Sequence, residues 1–486
     1  MADGRRGTTA TTGTAATATT TAPIAPAAAR AAARPNADAD ALLQAPILST
    51  LLRLTVPNLA AMVVVALVSI CETAYVGLLG TTPLAAIALV FPMVMLMQML
   101  SAGAMGGGVS SAVSRALGAG DIDRANALAF HAVVIGAAAG LAFSAVFVIF
   151  GAQIFRALGG SGAVLGEALA YADIALTAAV LTWLLNTFAS IVRGTGNMRV
   201  PSLTLLAASG LQIVLGGALG LGIGPIPRFG LAGVASGLVI AYASAALFLL
   251  RFLAAGHGRV ALRFNAAALS REMFLDILKV GAVSALGPFQ VVLTVLILTR
   301  LVAGFGTEAL AGYGIGARLE FLLVPIVFAI GVASVPMVGM AMGARQVERA
   351  RRVAWTAAGV SMAALGAIGL TVTLAPDAWS GLFTGDAAVR AAANLYLRWA
   401  GWGFAFVGVG LSLYFASQGS GKVLRPVLAG TVRLLVVAIG GLWLAASGAP
   451  AWALFAVVGA AMAAFGLSVA AAVYLTPWGA AAPPTR

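Results

Sequence analysis

Cysteine and histidine are almost missing from this chain of 486 residues: Cys71 is the one cysteine, and His131 and His257 are the two histidines. A single cysteine excludes a disulfide framework and a multi-cysteine metal site. Two histidines leave little material for His-based metal binding or acid–base catalysis, so neither a metal nor a cofactor is expected. Charge is scarce too. Only 9% of residues are Asp, Glu, Lys or Arg, against roughly 25% in a soluble domain. Folded extramembrane domains are lacking as well, which excludes a nucleotide-binding cassette and an ATP motor of that kind.

Apolar sequence fills the chain instead. With 61% hydrophobic residues and a mean hydropathy of +1.03, it reads as a polytopic membrane protein. The net charge of +13 and the pI near 11.1 would suit a nucleic-acid partner. That reading fails because the basic residues sit in short loops between apolar spans. Twelve apolar stretches run from about residue 51 to 477, each long enough for the roughly 20 residues of a spanning helix. The expected fold class is an all-α membrane protein with twelve transmembrane helices in two pseudo-symmetric six-helix lobes. Residues 1–45 are Ala/Thr/Pro-rich and read as a disordered tail. Residues 46–254 form the first lobe, 255–277 a linker, 278–477 the second lobe, and 478–486 a short tail.

The lobes are expected to be duplicates. Arg193-Gly-Thr-Gly-Asn-Met-Arg-Val-Pro201 repeats as Gln418-Gly-Ser-Gly-Lys-Val-Leu-Arg-Pro426, at an offset of 225. Gly118-Ala-Gly-Asp-Ile-Asp-Arg-Ala125 repeats as Gly343-Ala-Arg-Gln-Val-Glu-Arg-Ala350, and Tyr171 as Tyr396, at the same offset. Three landmarks in one register point to a duplicated membrane unit, a pattern that secondary transporters use to rock two halves about a central cavity. Loop charge orients it. Arg115, Arg124, Arg193, Arg259, Arg349, Arg352 and Lys422 are among the many basic residues on one side, while Arg156, Arg228 and Arg390 lie opposite. The first side, with both termini, is therefore expected in the cytoplasm.

Within the spans the acid Glu72 is the leading candidate. It lies in Leu67-Val-Ser-Ile-Cys-Glu-Thr-Ala-Tyr-Val-Gly77, about 10 Å from the outer end of its span at 1.5 Å per residue. A charge at that depth costs roughly 2.5–3.5 kcal/mol on insertion scales. Such a group can take a proton or a cation from one side and release it to the other; a protonated acid bonded within the bundle is the plainer alternative. Carried across the repeat, Glu72 lands near Ile297 or Leu298, so the second half has no acid there. Gln98, Asn186, Gln212 and Gln290 are neutral polar groups that either bind substrate or link helices. Arg318 and Glu320, two residues apart, point to different faces of a helix and each needs a partner or a wet cavity. His131 carries no evident role, and Gly194-Thr-Gly196 and Gly419-Ser-Gly421 read as helix C-caps rather than phosphate loops.

A Pro-containing first helix ending in Glu72-Thr-Ala-Tyr-Val-Gly77, then Gly118-Ala-Gly-Asp121, then Arg193-Gly-Thr-Gly-Asn197 resembles the multidrug and toxic compound extrusion (MATE) family. Tyr313-Gly-Ile-Gly-Ala-Arg-Leu-Glu320 resembles its DinF-like branch. The resemblance covers about residues 50–475. It implies a twelve-helix antiporter that expels organic cations or other amphipathic compounds against inflowing protons or sodium. Glu72 stands where the family usually has an aspartate essential for coupling. The family's Asn-x-x-x-Asp in the fifth helix reads here Gln212 and Gly216. The acids that the NorM-type branch uses in helices seven and ten are matched near Gln290 and at Val407. These departures favour protons over sodium, because one carboxyl carries a proton whereas sodium prefers several oxygen ligands.

The expected function is thus proton-coupled multidrug export from the cytoplasm of a bacterium, across the cytoplasmic membrane, by a monomer surrounded by lipid. Sodium coupling is one alternative. A lipid-linked oligosaccharide flippase is another, but such proteins tend to have cationic cavities and extra helices. A membrane-embedded enzyme would need a nucleophile, base or metal cluster that the chain does not offer.

Overall fold

The computed structural model describes residues 42–263 and 269–479. The tail expected at 1–45 lies outside the described residues up to residue 41, as do 264–268 of the linker and the last tail from residue 480.

In a bilayer every backbone polar group must be satisfied internally, and an apolar chain meets that demand by forming helices. Among the described residues twelve spans result, the bent pair counted as one. They are α1 (Ile47–Leu79), α2 (Thr81–Gly118), α3 (Ile122–Ala157), α4 (Gly162–Gly194), α5 (Arg199–Leu221), α6 (Gly230–Ala254), α7 (Arg271–Ala303), α8 (Thr307–Gly343), α9 (Val347–Leu374), α10 (Ala387–Ser420), α11 (Leu424–Ala446) and α12 (Ala451–Leu475). Eleven are long and apolar enough on their own, and α4 completes the set as two pieces bent by 47° between Ala175 and Ala179. Among the described residues there is no β-strand.

Where the spans break, the sequence says why. Pro288 has no N–H to return to the carbonyl of Ser284, and α7 is interrupted at Ala285. The freed Ser284 carbonyl instead accepts the Tyr414 hydroxyl at 3.1 Å. In α2 the stretch Met99–Met105 is a π-helix beside three consecutive glycines, Gly106 to Gly108. The linker is shorter than the apolar pattern suggests, because α7 starts at Arg271 rather than near residue 278. Its charged first turns read as loop, yet ion pairs to the other lobe hold them in the helix.

Ends of the helices fall into two sets. The basic loops after α2, α4, α8 and α10 share one end of the bundle. At this end one continuous core spans both lobes, from Leu51 and Val113 to Met340 and Phe415. Toward the other end the core divides. Val76, Phe155, Tyr171 and Trp183 cluster within the first lobe, and Leu298, Leu319, Tyr396 and Phe455 within the second. The lobes are therefore joined at the basic end and part beyond it.

Two glycines mark the joint. A Cβ on Gly118 would lie 2.2 Å from the Met340 carbonyl, and one on Gly343 would lie 2.1 Å from the Arg115 carbonyl. Gly343 is the repeat of Gly118, and Met340 occupies the repeat position of Arg115, so α2 and α8 cross at a pseudo-two-fold axis. The close approach requires both glycines, since any side chain there meets backbone.

Candidate functional site

Each lobe holds one intramembrane carboxylate against the same tyrosine of the repeat. In the first lobe the α1 face that buries Val68 and Val76 also turns Glu72 inward, half-buried beside the exposed Cys71. Tyr171 from α4 donates to its Oε1 at 3.4 Å, and Gln212 from α5 donates to its Oε2 at 3.1 Å. Both partners are buried. Three helices thus converge on one carboxyl, and both partners are neutral. The hydroxyl of Tyr75, one turn along α1, sits 2.8 Å from the position a Cβ on Gly216 would take. Tyrosine therefore fills the space beside Gly216 on α5, and among the described residues its buried hydroxyl bonds to nothing.

Next to this lies a second polar set. Asn186 of α4 donates to Gln98 Oε1 at 3.0 Å and to Ser101 Oγ at 2.8 Å, and Gln98 donates to the Tyr242 hydroxyl at 3.3 Å. Gln98, Asn186, α2 and α6 are so tied together, and Tyr242 joins the cluster that also holds Tyr75 and Tyr171.

The second lobe reuses the geometry with another charge balance. Tyr396, the repeat of Tyr171, donates to Glu320 Oε1. Arg433 from α11 donates to Glu320 Oε2 at 3.2 Å and neutralises it. Tyr313 packs edge-on against Tyr396 with ring centroids 5.4 Å apart. The acid thus comes from α8 rather than from the α7 position that repeats Glu72.

Of the other residues singled out in the sequence, Gln290 donates to the Val427 carbonyl and to Thr431, bracing α7 on α11. Arg318 does not meet Glu320; its guanidinium lies over the Phe383 ring, 5.6 Å from the centroid, at the end away from the basic loops. His131 has a place the sequence did not suggest. It is fully buried, bonds through Nδ1 to the Ala127 carbonyl and accepts the Ser270 N–H through Nε2, so it ties α3 to the start of α7. The tyrosines around each acid and the Arg433 partner were not legible as a site. The Tyr171/Tyr396 pairing across the repeat, which served in the sequence only to set the register of the duplication, is the one signal that could have led there.

At the basic end a polar joint crosses the lobes. Asp276 of α7 meets Arg115 of α2 at 2.9 Å, Arg124 of α3 at 3.4 Å and its own neighbour Lys279 at 2.9 Å, while Arg124 also meets Glu272 at 3.0 Å. Gln418, the repeat of Arg193, lies in the same joint and donates to the Gly103 carbonyl and to Ser284. Among the described residues no group of three His, Cys, Asp or Glu side chains gathers to hold a metal.

With this geometry in hand, comparison with known proteins decides the family. The MatE family model matches residues 57–217 and again 284–444. This chain belongs to the MatE family. The double match places one copy of the unit in each lobe, as the internal repeat requires, and the family is one of membrane transporters rather than enzymes. Among curated relatives, the chain is 27% identical over 315 residues to an FAD transporter of Shewanella oneidensis, covering 65% of this chain and 70% of that protein. It is 26% identical over 411 residues to the multidrug export protein MepA of Staphylococcus aureus, covering 82% and 88%. Among solved structures, a transporter of the MOP superfamily from Pyrococcus furiosus superposes with a TM-score of 0.81 at 23% identity, covering 89% of this chain and 96% of that one. A MATE family multidrug resistance transporter in an outward-facing conformation gives 0.80 at 24% identity, covering 89% and 96%. These likenesses extend to the fold as a whole.

Proposed function

We propose that this MatE protein is a proton-coupled exporter of cationic or other amphipathic compounds, seated in the cytoplasmic membrane with its basic end and both termini inside. The observation that carries the reading is the company Glu72 keeps. It is the intramembrane acid whose bonded partners, Tyr171 and Gln212, are both neutral. An acid already matched by a guanidinium has no need of a proton, whereas an acid held by neutral donors is free to exchange one.

The chemistry follows from donor and acceptor counts. Ionised, Glu72 accepts from both Tyr171 and Gln212. Protonated, it becomes a donor through one oxygen, so one of those two partners must turn or release. Gln212 can turn its amide and accept. Tyr171 can keep donating to the other oxygen. Each protonation state thus favours a different side-chain arrangement where α1, α4 and α5 meet, and cargo entering the same lobe shifts the balance between states by its differential affinity. Gln98, Asn186 and Gln212 are given the cargo contacts. Gln290, Arg318 and Glu320 are given none, because they belong to the second lobe and not to the polar set around Glu72.

With the basic loops inside, the ends at which the two lobes keep separate cores face outward. Proton rather than sodium coupling is supported by the donor set: one carboxylate, with Tyr75 filling the space beside Gly216 where a second acid would stand. The relative named for multidrug export fits this cargo class, whereas the one named for FAD points to an anionic cargo in that protein.

The test is uptake of a fluorescent cation into everted vesicles, driven separately by a pH gradient and by a sodium gradient. The pH gradient alone should drive uptake, and Glu72→Gln, at normal expression, should reduce it to the level of vesicles without the protein. Uptake driven only by sodium would overturn proton coupling. Undiminished uptake by the variant would remove Glu72 from the mechanism.

A further inference from the structure

The loops 118–125 and 343–350 repeat each other in sequence and in backbone but not in charge. In the first, Gly120 adopts φ +78°, and the Asp121 side chain caps α3 by accepting the Arg124 N–H at 2.8 Å. Arg124 then finds two acids, Glu272 and Asp276, at the start of α7.

In the second loop Arg345 takes the place of Gly120. Among the described residues it is the one non-glycine residue at positive φ, 59°, a conformation unfavourable for any side chain. Gln346 replaces Asp121, and among the described residues its side chain makes no cap bond to the first N–H groups of α9. Arg349 replaces Arg124 and crosses to the segment before α1, but it finds carbonyls there, those of Leu42 at 3.1 Å and Ala45 at 2.6 Å. Arg352 stands where the first loop has Ala127. Residues 42–55 hold Arg53 and no acid, so nothing there answers Glu272 and Asp276.

Between these groups is a cavity of about 360 Å³ whose lining includes Ile47, Arg345, Gln346, Glu348, Arg349 and Arg352. Glu348 is bonded to Arg352 one turn away, and it is the single acid against three arginines. Among the described residues neither Arg345 nor Arg349 has an ion-pair partner.

We propose that this cavity binds a phosphate-bearing anion, supplied by the head group of an acidic phospholipid in the adjoining leaflet. Guanidinium forks match phosphate oxygens in geometry, and the uncapped start of α9 adds N–H donors and a favourable dipole. Basic clefts between helices at a membrane surface select acidic head groups on the same grounds. Leu48 and Leu52, exposed at the same end of α1, offer apolar surface for acyl chains. The anion does at this loop what Glu272 and Asp276 do at the other. It draws α9 of the second lobe onto the start of α1 of the first and favours the state closed at the basic end.

The test titrates the full-length protein in detergent with phosphatidylglycerol, with phosphatidylcholine and with inorganic phosphate, following its melting temperature. The variant Arg345→Gly/Arg352→Ala restores the residues of the first loop and relieves the strained backbone, so its folding is not at risk. Arg349 is left in place because it braces the lobes. Phosphatidylglycerol should raise the melting temperature of the parent protein and phosphatidylcholine should not. In the variant the half-effective concentration should rise roughly thirtyfold, from about fivefold per basic residue at an anionic surface. Arg199→Gln, an exposed arginine at the same end, should titrate like the parent. An unchanged titration in the double variant, or equal action of phosphatidylcholine, overturns the site. Full protection by inorganic phosphate with none from phosphatidylglycerol overturns the lipid source.

Discussion

In the first lobe a tyrosine hydroxyl and an amide meet Glu72; in the second the matching tyrosine meets Glu320, and a guanidinium from Arg433 completes the set. One tyrosine position, kept at the same place in both repeats, thus serves two acids that come from different helices. The backbone was duplicated and the acids were not. A buried acid with its own counter-charge is a fixed strut. A buried acid with neutral partners is a group whose charge responds to what the membrane potential and the pH on either side deliver. Duplication supplied two equivalent places for such a group, and on the function proposed above it is the first lobe's acid that exchanges a proton.

The comparison is broken most severely at the scaffold. If the lobes are mechanically equivalent, Gly118→Ala and Gly343→Ala should do equal harm, because each forces a Cβ to within 2.2 Å or less of a carbonyl on the facing helix. Overpacking of this kind costs about 1–3 kcal/mol, and backbone contact places both at the upper end. Thermal unfolding in detergent should show two similar drops, with transport lost in both because the basic end no longer closes. Unequal drops would mean that the joint is not symmetric.

How much of this was readable beforehand follows from what each feature depends on. The twelve spans, the repeat and Glu72 rest on local composition, register and depth, which a sequence states directly. Glu320 announced that it needed a partner, but Arg433 is 113 residues away and a salt bridge between distant helices leaves no trace in spacing. His131 failed to stand out for the same reason, since its tie to Ser270 exists only once α7 is folded back, while its bond to the Ala127 carbonyl stays within α3. The first turns of α7 looked like linker because their charges mask the helix. Those charges are what Arg115 and Arg124 hold.

A smaller effect sharpens the contrast between the acids. Arg433→Gln leaves Glu320 with Tyr396 alone. Breaking a buried pair costs roughly 3–5 kcal/mol, but these side chains are 20 and 24% exposed, so about 2 kcal/mol is expected after solvent screening. Adding Glu320→Gln should recover most of the loss in the same unfolding assay, since two neutral amides can bond to each other. Transport driven by a pH gradient should survive in the double variant. If it does not, the second lobe takes part in coupling and the division of labour fails.

The smallest expected effect falls on Tyr75, whose hydroxyl borders Gly216 without a bonded partner among the described residues. Removing an unsatisfied buried hydroxyl while keeping its ring is nearly neutral or slightly stabilising, within about 1 kcal/mol. Tyr75→Phe should therefore leave both the melting temperature and proton-driven uptake close to those of the parent, if Tyr171 and Gln212 are sufficient to hold Glu72. A clear loss of uptake at unchanged stability would assign the hydroxyl to the exchange site. The space beside Gly216 would then hold a working member of the first lobe's set, and the second lobe's ion pair would have to be compared with three neutral partners instead of two.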